Sequence, residues 1–212
     1  IRNFLNQNFQ QSSGTTGFRN QPLDAQQIQN YISDVFQRLQ ANQLWDPWAV
    51  GNAFYNDMRI IFFTEEILKK FMPELLVVNL QDIDVCHTHF SNYCRNIRRA
   101  DWAVGHLWQT IQATPGLAND TVLIVTPEIG RNAQPNSLRD QFGRGALDHT
   151  GDSLSRELFC LIAGPAGVVK QNQTFSNEQG EIVDIVPTIC ELLGSPVPGG
   201  MVDGRFLTEA FV

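Results

Sequence analysis

Short apolar runs of strand length alternate along this chain with longer stretches of helical periodicity, and this alternation constrains the fold more than any other feature. The runs are ELLVVNL at residues 74–80, TVLIVT at 121–126 and ELFCLIAG at 157–164. Helical spacing predicts helices over residues 93–112 and 182–194. Continuous apolar strands that alternate with helices are typical of sheets covered by helices on both faces. The sequence therefore predicts an α/β protein, a three-layer α/β/α sandwich with a mostly parallel sheet.

The first 22 residues have a different composition from the rest of the chain. Residues 1–22 are rich in Asn, Gln, Ser, Thr and Gly, which predicts a polar arm or loop through which the chain can self-associate. Residues 23–212 are predicted to form the α/β domain. Its first part carries two helical patterns, at residues 24–40 and 56–72. Both helices are expected to cover the sheet.

Charge and hydropathy exclude two classes of partner. The formal net charge is -7, which repels phosphate backbones, so no nucleic-acid partner is expected. No apolar run approaches the ~20 residues that span a bilayer, so no transmembrane segment is expected. The four cysteines are spread along the chain and form no CxxC pair, so they leave the redox compartment open.

Carboxylates and imidazoles gather beside the ends of the predicted strands. In an open α/β sheet, ligands and catalytic groups collect at the carboxyl ends of the strands. Asp and His side chains are ligands that zinc and manganese use. The sequence therefore predicts a divalent metal site built from the residues that flank the three strands. They are Asp82, Asp84, His87 and His89 after the first strand, Glu128, Arg131 and Asn132 after the second, and Asp148, His149 and Asp152 before the third.

Four segments in a fixed order carry a family resemblance. They are LLVVNLQDIDVCH at 75–87, RRADWAVGHLWQTIQATPGLANDTVLIVTPEIG at 98–130, DHT at 148–150, and DIVPTICELLGSPVPGGMVDGRFL at 184–207. In this order they resemble the C-terminal half of the alkaline phosphatase superfamily, which includes sulfatases, phosphodiesterases and cofactor-independent phosphoglycerate mutases. The resemblance covers roughly residues 73 to 207.

The resemblance implies a hydrolase with one or two divalent ions, zinc being the expected metal and manganese or calcium the alternatives. Asp84, His87 and His149 correspond to the ligands of one ion. Asp82 and His89 are rivals for the first two roles, because the interval between Asp84 and His87 is one residue shorter than the family's usual interval. Asp148 is a further secondary candidate.

The positions after the second strand correspond to the rest of the family's site. Glu128 corresponds to a weaker ligand for a second ion. Arg131 corresponds to a group that stabilises an oxyanion, since its guanidinium suits phosphate or sulfate.

Two departures from the family pattern bear on activity. Ile129 stands where the family has the histidine of an Asp-His pair, and isoleucine cannot bind a metal. No apolar strand that could carry the family's nucleophile lies in residues 1–44, where Thr15 and Thr16 are the only candidates, so we expect the domain to be incomplete at its N-terminal side.

Two functions follow from these patterns. The first is a metal-dependent hydrolase of phosphoric or sulfuric esters that acts on a small anionic ester and is formed in part by this chain. The alternative is a catalytically inactive member of the superfamily that serves as a binding or structural component of a surface assembly. The resemblance also implies an extracytoplasmic location.

Overall fold

The computed structural model describes residues 30–31, 33–35, 37–38, 56–197, 199–200 and 202–212. The chain divides into two compact units. Unit 1 comprises Ile1–Thr114 and Leu138–Ala146, and unit 2 comprises Pro115–Ser137 and Leu147–Val212. The predicted arm at residues 1–22, with Thr15 and Thr16, lies outside the described residues.

Unit 1 is built on two helices, α1 (Asn56–Phe71) and α2 (Phe90–Ala113), which contact each other. Both helices lie where the sequence predicts them, because their apolar residues recur every three or four positions and so form one face. Buried side chains on these faces form the core of the unit. They are Met58, Ile61 and Leu68 on α1, and Ala103, Leu107 and Ile111 on α2.

Polar contacts add to this helix pair. Buried Glu65 on α1 meets His106 on α2, with its Oε1 2.5 Å from His106 Nδ1, and the His106 ring stacks on Trp102.

The described residues between 30 and 38 are helical, as predicted, and Tyr31 donates its hydroxyl proton to the Glu66 carbonyl at 2.6 Å. Burial, with a contribution from the Glu66 carboxylate, raises the pKa of Tyr31 to about 12.

A loop formed by Leu138–Ala146 belongs to unit 1 and is organised by Asp140. The buried Asp140 carboxylate accepts hydrogen bonds from the backbone N–H and the hydroxyl of Ser91, in the first turn of α2, and pairs with Arg144 Nε at 3.0 Å. The Arg144 guanidinium lies over the rings of Phe90 and Phe142. Although burial opposes ionisation, the hydrogen bonds from Ser91 and from the backbone of Arg144 and Phe142 hold the pKa of Asp140 well below its usual range.

Unit 2 contains strands β1 (Leu123–Val125) and β2 (Leu161–Ala163) and helix α3 (Ile185–Leu192). The two strands lie within the predicted runs and pair antiparallel, with Ile124 opposite Ile162. Helix α3 ends in a turn at Gly194, whose φ of 62° places it in the left-handed region that glycine adopts readily. A core cluster of Val169, Leu207 and Phe211 packs with Ile162, and the Thr188 hydroxyl of α3 accepts the N–H of Leu207.

The first predicted strand, at residues 74–80, does not form. Residues 74–80, all of which the structure describes, have no regular secondary structure, and Leu75 and Val77 are 48% and 77% exposed. A strand needs a hydrogen-bonded neighbour, and within the described residues the paired strands are β1 and β2 alone. This two-stranded antiparallel sheet does not test the predicted three-layer α/β/α sandwich, which stays a prediction.

The described helices also bear on the expected absence of a membrane span. Among the residues that the structure describes, no helix has both the length and the hydropathy needed to cross a bilayer.

Candidate functional site

A short turn after residues 74–80 holds two of the predicted metal ligands together. Asp84–Cys86 forms one turn of 3-10 helix, in which Asp84 N–H donates to the Gln81 carbonyl at 3.1 Å. In a 3-10 helix, side chains three positions apart are eclipsed. The turn, which extends on to His87, therefore brings His87 Nε2 to 3.2 Å from Asp84 Oδ1.

The exposure and spacing of this pair suit a divalent cation. The Asp84 side chain is 68% exposed and that of His87 31%, so an ion can reach both from solvent. Tetrahedral zinc with ligand bonds of about 2.0–2.2 Å places neighbouring ligand atoms roughly 3.3 Å apart. The distance between Asp84 Oδ1 and His87 Nε2 fits both this arrangement and a direct hydrogen bond, so the donor set is compatible with the metal that the sequence predicts.

The two rival residues of this loop have capping roles. Asp82 is buried, and its Oδ2 accepts the N–H of Asp57 at 3.3 Å, in the first turn of α1. The first N–H groups of a helix have no partner inside the helix, so this contact caps α1. His89 precedes α2 and caps it, since its Nδ1 accepts the N–H of Asn92 at 3.3 Å.

In unit 2, the segment after β1 meets the segment that carries His149. Asn132 N–H donates to the Asp148 carbonyl at 2.6 Å, and the Asn132 side chain exchanges two hydrogen bonds with Thr150, each 3.1 Å long. Asp148 Oδ1 accepts the N–H of His149 at 2.8 Å. The structure thus brings together two of the three groups of residues that the sequence places beside strands.

The backbone of the segment after β1 is packed closely. Gly130 N–H donates to the Ser155 carbonyl at 2.9 Å, and a Cβ at this position would lie 2.5 Å from the carbonyl oxygen of Leu154. Arg131 Nη1 donates to the Leu147 carbonyl at 3.4 Å. Glu128 and Ile129, which stand where the resemblance places ligands of a second ion, are both exposed.

Asp152 has a structural role in the same region. Its carboxylate accepts the N–H groups of Leu154 and Ala133, each at 2.9 Å, and so caps the 3-10 turn Ser153–Arg156. These hydrogen bonds from the backbone stabilise the ionised form, and they lower the pKa of Asp152.

Two residues that contact the Asp84 turn are not visible as site residues in the sequence. Asp57 is completely buried and accepts the N–H groups of Gln81 and Asp82, and Asn96 is buried and donates to the Asp82 carbonyl. Asp57 lies in the first turn of a predicted helix, where an acidic residue is common, so its position alone predicts a cap. Its partners lie 24 and 25 residues further on, and no local pattern reveals them.

Comparisons of the chain with family models, with curated proteins and with solved structures return no match. Asp84 and His87 belong to unit 1, whereas Glu128, Arg131, Asp148 and His149 belong to unit 2. That His149 shares an ion with Asp84 and His87 stays a prediction from the family resemblance.

Proposed function

We propose that this chain forms part of a metal-dependent hydrolase of phosphoric or sulfuric esters, with zinc as its metal and an extracytoplasmic location. The contact between Asp84 and His87 is the observation that supports the proposal most, because it pairs a carboxylate and an imidazole on one accessible turn. The proposal includes the three-layer α/β/α fold that the family resemblance implies.

In this proposal, Asp84, His87 and His149 bind one divalent ion, and Glu128 contributes to a weaker second position. A bound divalent ion polarises the oxygen atoms of a phosphoryl or sulfuryl group and stabilises the charge that develops on them. Ile129 supplies no ligand atom, so the second position has fewer ligands than the family pattern contains.

Arg131 is the group proposed to bind the anionic ester. Its guanidinium carries five N–H donors in a planar fork that matches two oxygens of a phosphate or sulfate. Nη1 of Arg131 is directed at the Leu147 carbonyl at 3.4 Å, a contact that orients the guanidinium. A small ester with a -1 or -2 charge is therefore the proposed substrate class.

Hydrolysis of an aryl phosphate and an aryl sulfate by the zinc-loaded protein tests this function. His149→Ala removes a proposed ligand, and we expect it to abolish hydrolysis, because the ion that polarises the ester is lost or displaced. His106→Gln is the matched control, because His106 pairs with Glu65 on the helix interface and glutamine keeps a donor for that carboxylate. The control is expected to retain wild-type hydrolysis.

Full activity in the His149→Ala variant would contradict the ligand assignment. Equal hydrolysis of both esters by the purified wild-type protein with and without a chelator would also contradict it.

One observation favours a second function, a catalytically inactive protein that binds or supports a surface assembly. Ile129 is 40% exposed and lies where the family has a metal-binding histidine. Light scattering after size-exclusion chromatography, on the full chain and on a chain without residues 1–22, tests self-association through the arm. An oligomer that becomes a monomer on truncation supports this function, and a monomer in both cases argues against it.

A further inference from the structure

The turn that carries Asp84 and His87 is anchored from α1 by a fully buried carboxylate. Asp57 Oδ1 accepts the N–H of Gln81 at 2.8 Å and that of Asp82 at 3.2 Å, and Oδ2 lies 3.3 Å from the same Asp82 nitrogen. The Asp82 carboxylate in turn accepts the N–H of Asp57. Each aspartate thus accepts from the other's backbone, and the start of α1 is fixed to the start of the turn.

The same turn is anchored from α2 by an amide. Asn96 Nδ2 donates to the Asp82 carbonyl at 2.5 Å and lies 3.2 Å from Cys86 Sγ, while Asn96 Oδ1 accepts from Arg99 Nη1 at 2.8 Å. Asn96, Arg99 and Cys86 are all buried. Contacts from both helices therefore converge on Asp82, two residues before Asp84.

These anchors determine where the exposed pair lies. Asp57 accepts the N–H of Gln81, and the carbonyl of Gln81 accepts the N–H of Asp84. This second hydrogen bond begins the 3-10 turn. His87 follows one 3-10 repeat later, on the same side as Asp84. A shift of Gln81 and Asp82 would therefore move the Asp84 carboxylate and the His87 imidazole together.

We propose that Asp57 is a positioning residue that holds the turn of Asp84 and His87 in the arrangement that binds a divalent cation. This inference rests on the proposed function, since it assigns the Asp84 and His87 pair to a metal. Residues that orient metal ligands without touching the ion typically contribute a factor of about 10–100 to metal affinity. Asp57 acts in this way through the backbone of Gln81 and Asp82.

Zinc affinity, measured by competition with a chromophoric chelator, tests the inference on the full chain. We expect Asp57→Ala to weaken zinc binding by about 10–100-fold. Asp57→Asn keeps an oxygen that accepts both N–H groups, so its affinity is expected within about threefold of wild type. Asp57→Ser, which can accept one N–H, is expected to lie between the two and serves if the alanine variant does not fold.

Glu65→Ala is the matched control for lost stability. Glu65 lies on the same helix, is also buried, and also makes a polar contact to α2, through His106. Both alanine variants are expected to unfold at lower temperature, but Glu65→Ala is expected to retain the zinc affinity of wild type. Equal losses of affinity in the two variants would overturn the positioning role.

Nuclear magnetic resonance of the His87 ring in metal-free protein separates this inference from the proposed function. We expect the His87 resonances to move in Asp57→Ala and to stay near their wild-type positions in Asp57→Asn and Glu65→Ala. Unchanged His87 resonances in Asp57→Ala, or unchanged zinc affinity in that variant, would overturn the inference. A wild-type chain that binds no zinc would overturn the proposed function. If the His87 resonances still move in Asp57→Ala, Asp57 positions the turn, but the turn does not bind a metal.

Discussion

The two loops that carry the predicted ligands are held in different ways. In unit 1, the turn of Asp84 and His87 is anchored by buried side chains from two helices, Asp57 and Asn96. In unit 2, the segments of Glu128 and His149 are held largely by backbone contacts, such as those of Gly130 and Asn132 with Ser155 and Asp148. The first loop therefore depends on buried side chains of the two helices, and the second depends on close backbone packing between two segments of unit 2.

Gly130→Ala is expected to have the largest effect on stability, and it tests the backbone packing of the unit 2 loop. The added Cβ would meet the carbonyl oxygens of Leu154 and Glu157 at 2.5 and 2.8 Å, so the backbone must shift. We expect a loss of about 2–3 kcal/mol in the free energy of unfolding, measured by urea denaturation. Gly105→Ala in α2, where a Cβ meets nothing within 4 Å, is expected to stabilise by about 0.5–1 kcal/mol. A Gly130→Ala protein as stable as wild type would contradict the close packing.

Asn96→Ala tests the side-chain anchoring of the unit 1 turn. It removes the donor to the Asp82 carbonyl and the acceptor of Arg99 Nη1 inside a buried network. Leaving such groups without these partners is expected to cost about 1–3 kcal/mol of unfolding free energy. Hydrogen exchange of the Asp84 and Cys86 amides is expected to accelerate in the variant. Unchanged exchange at these amides would show that the turn does not need its anchor on α2.

Asp140→Asn tests a carboxylate that binds α2 from a loop of unit 1. The pKa of Asp140 is lowered in the folded chain, so its contribution to stability is present above its unfolded pKa of about 4 and is lost as the pH falls through the folded pKa. We expect the variant to be less stable than wild type at pH 7 and to lose less stability on acidification below pH 4. Thermal melts from pH 7 to pH 2 measure this, and parallel pH profiles for the two proteins would contradict it.

Asn132→Ala is expected to have the smallest effect and sharpens the contrast with Asn96. Its side chain exchanges hydrogen bonds with Thr150 at an exposed site, while its backbone contact to Asp148 survives the substitution. We expect a loss of about 0–1 kcal/mol in unfolding free energy, because water can replace exposed hydrogen bonds. A loss as large as that of Asn96→Ala would mean that side chains anchor both loops alike.

Local patterns predicted the helices better than the sheet. Apolar spacing placed α1, α2 and α3, since a helix is built from contacts three and four residues apart. The runs at 121–126 and 157–164 contain β1 and β2, but their antiparallel pairing depends on residues far apart in the chain. The run at 74–80 is also apolar but forms no strand, because apolar residues alone do not supply a hydrogen-bonded neighbour.

The structure brings together some of the residues predicted for the metal site, and the site itself stays a prediction. Asp84 and His87 meet because one 3-10 turn joins them, and Asn132 meets the 148–150 segment because β1 and β2 pair antiparallel, which brings the end of β1 beside the start of β2. The support of the site was not predicted, because Asp57 reaches Asp82 across 25 residues and Asn96 reaches it across 14. Such contacts arise only when the helices pack.

Bound zinc per chain most directly tests the claim that the turn of Asp84 and His87 binds a divalent metal. Elemental mass spectrometry would be applied to protein purified without chelators and briefly soaked in zinc, for wild type, His87→Ala and His106→Gln. We expect about one or two ions per wild-type chain, an unchanged content in His106→Gln, and a clear loss in His87→Ala. A folded wild-type chain without zinc, or a His87→Ala chain with the full wild-type content, would contradict this claim.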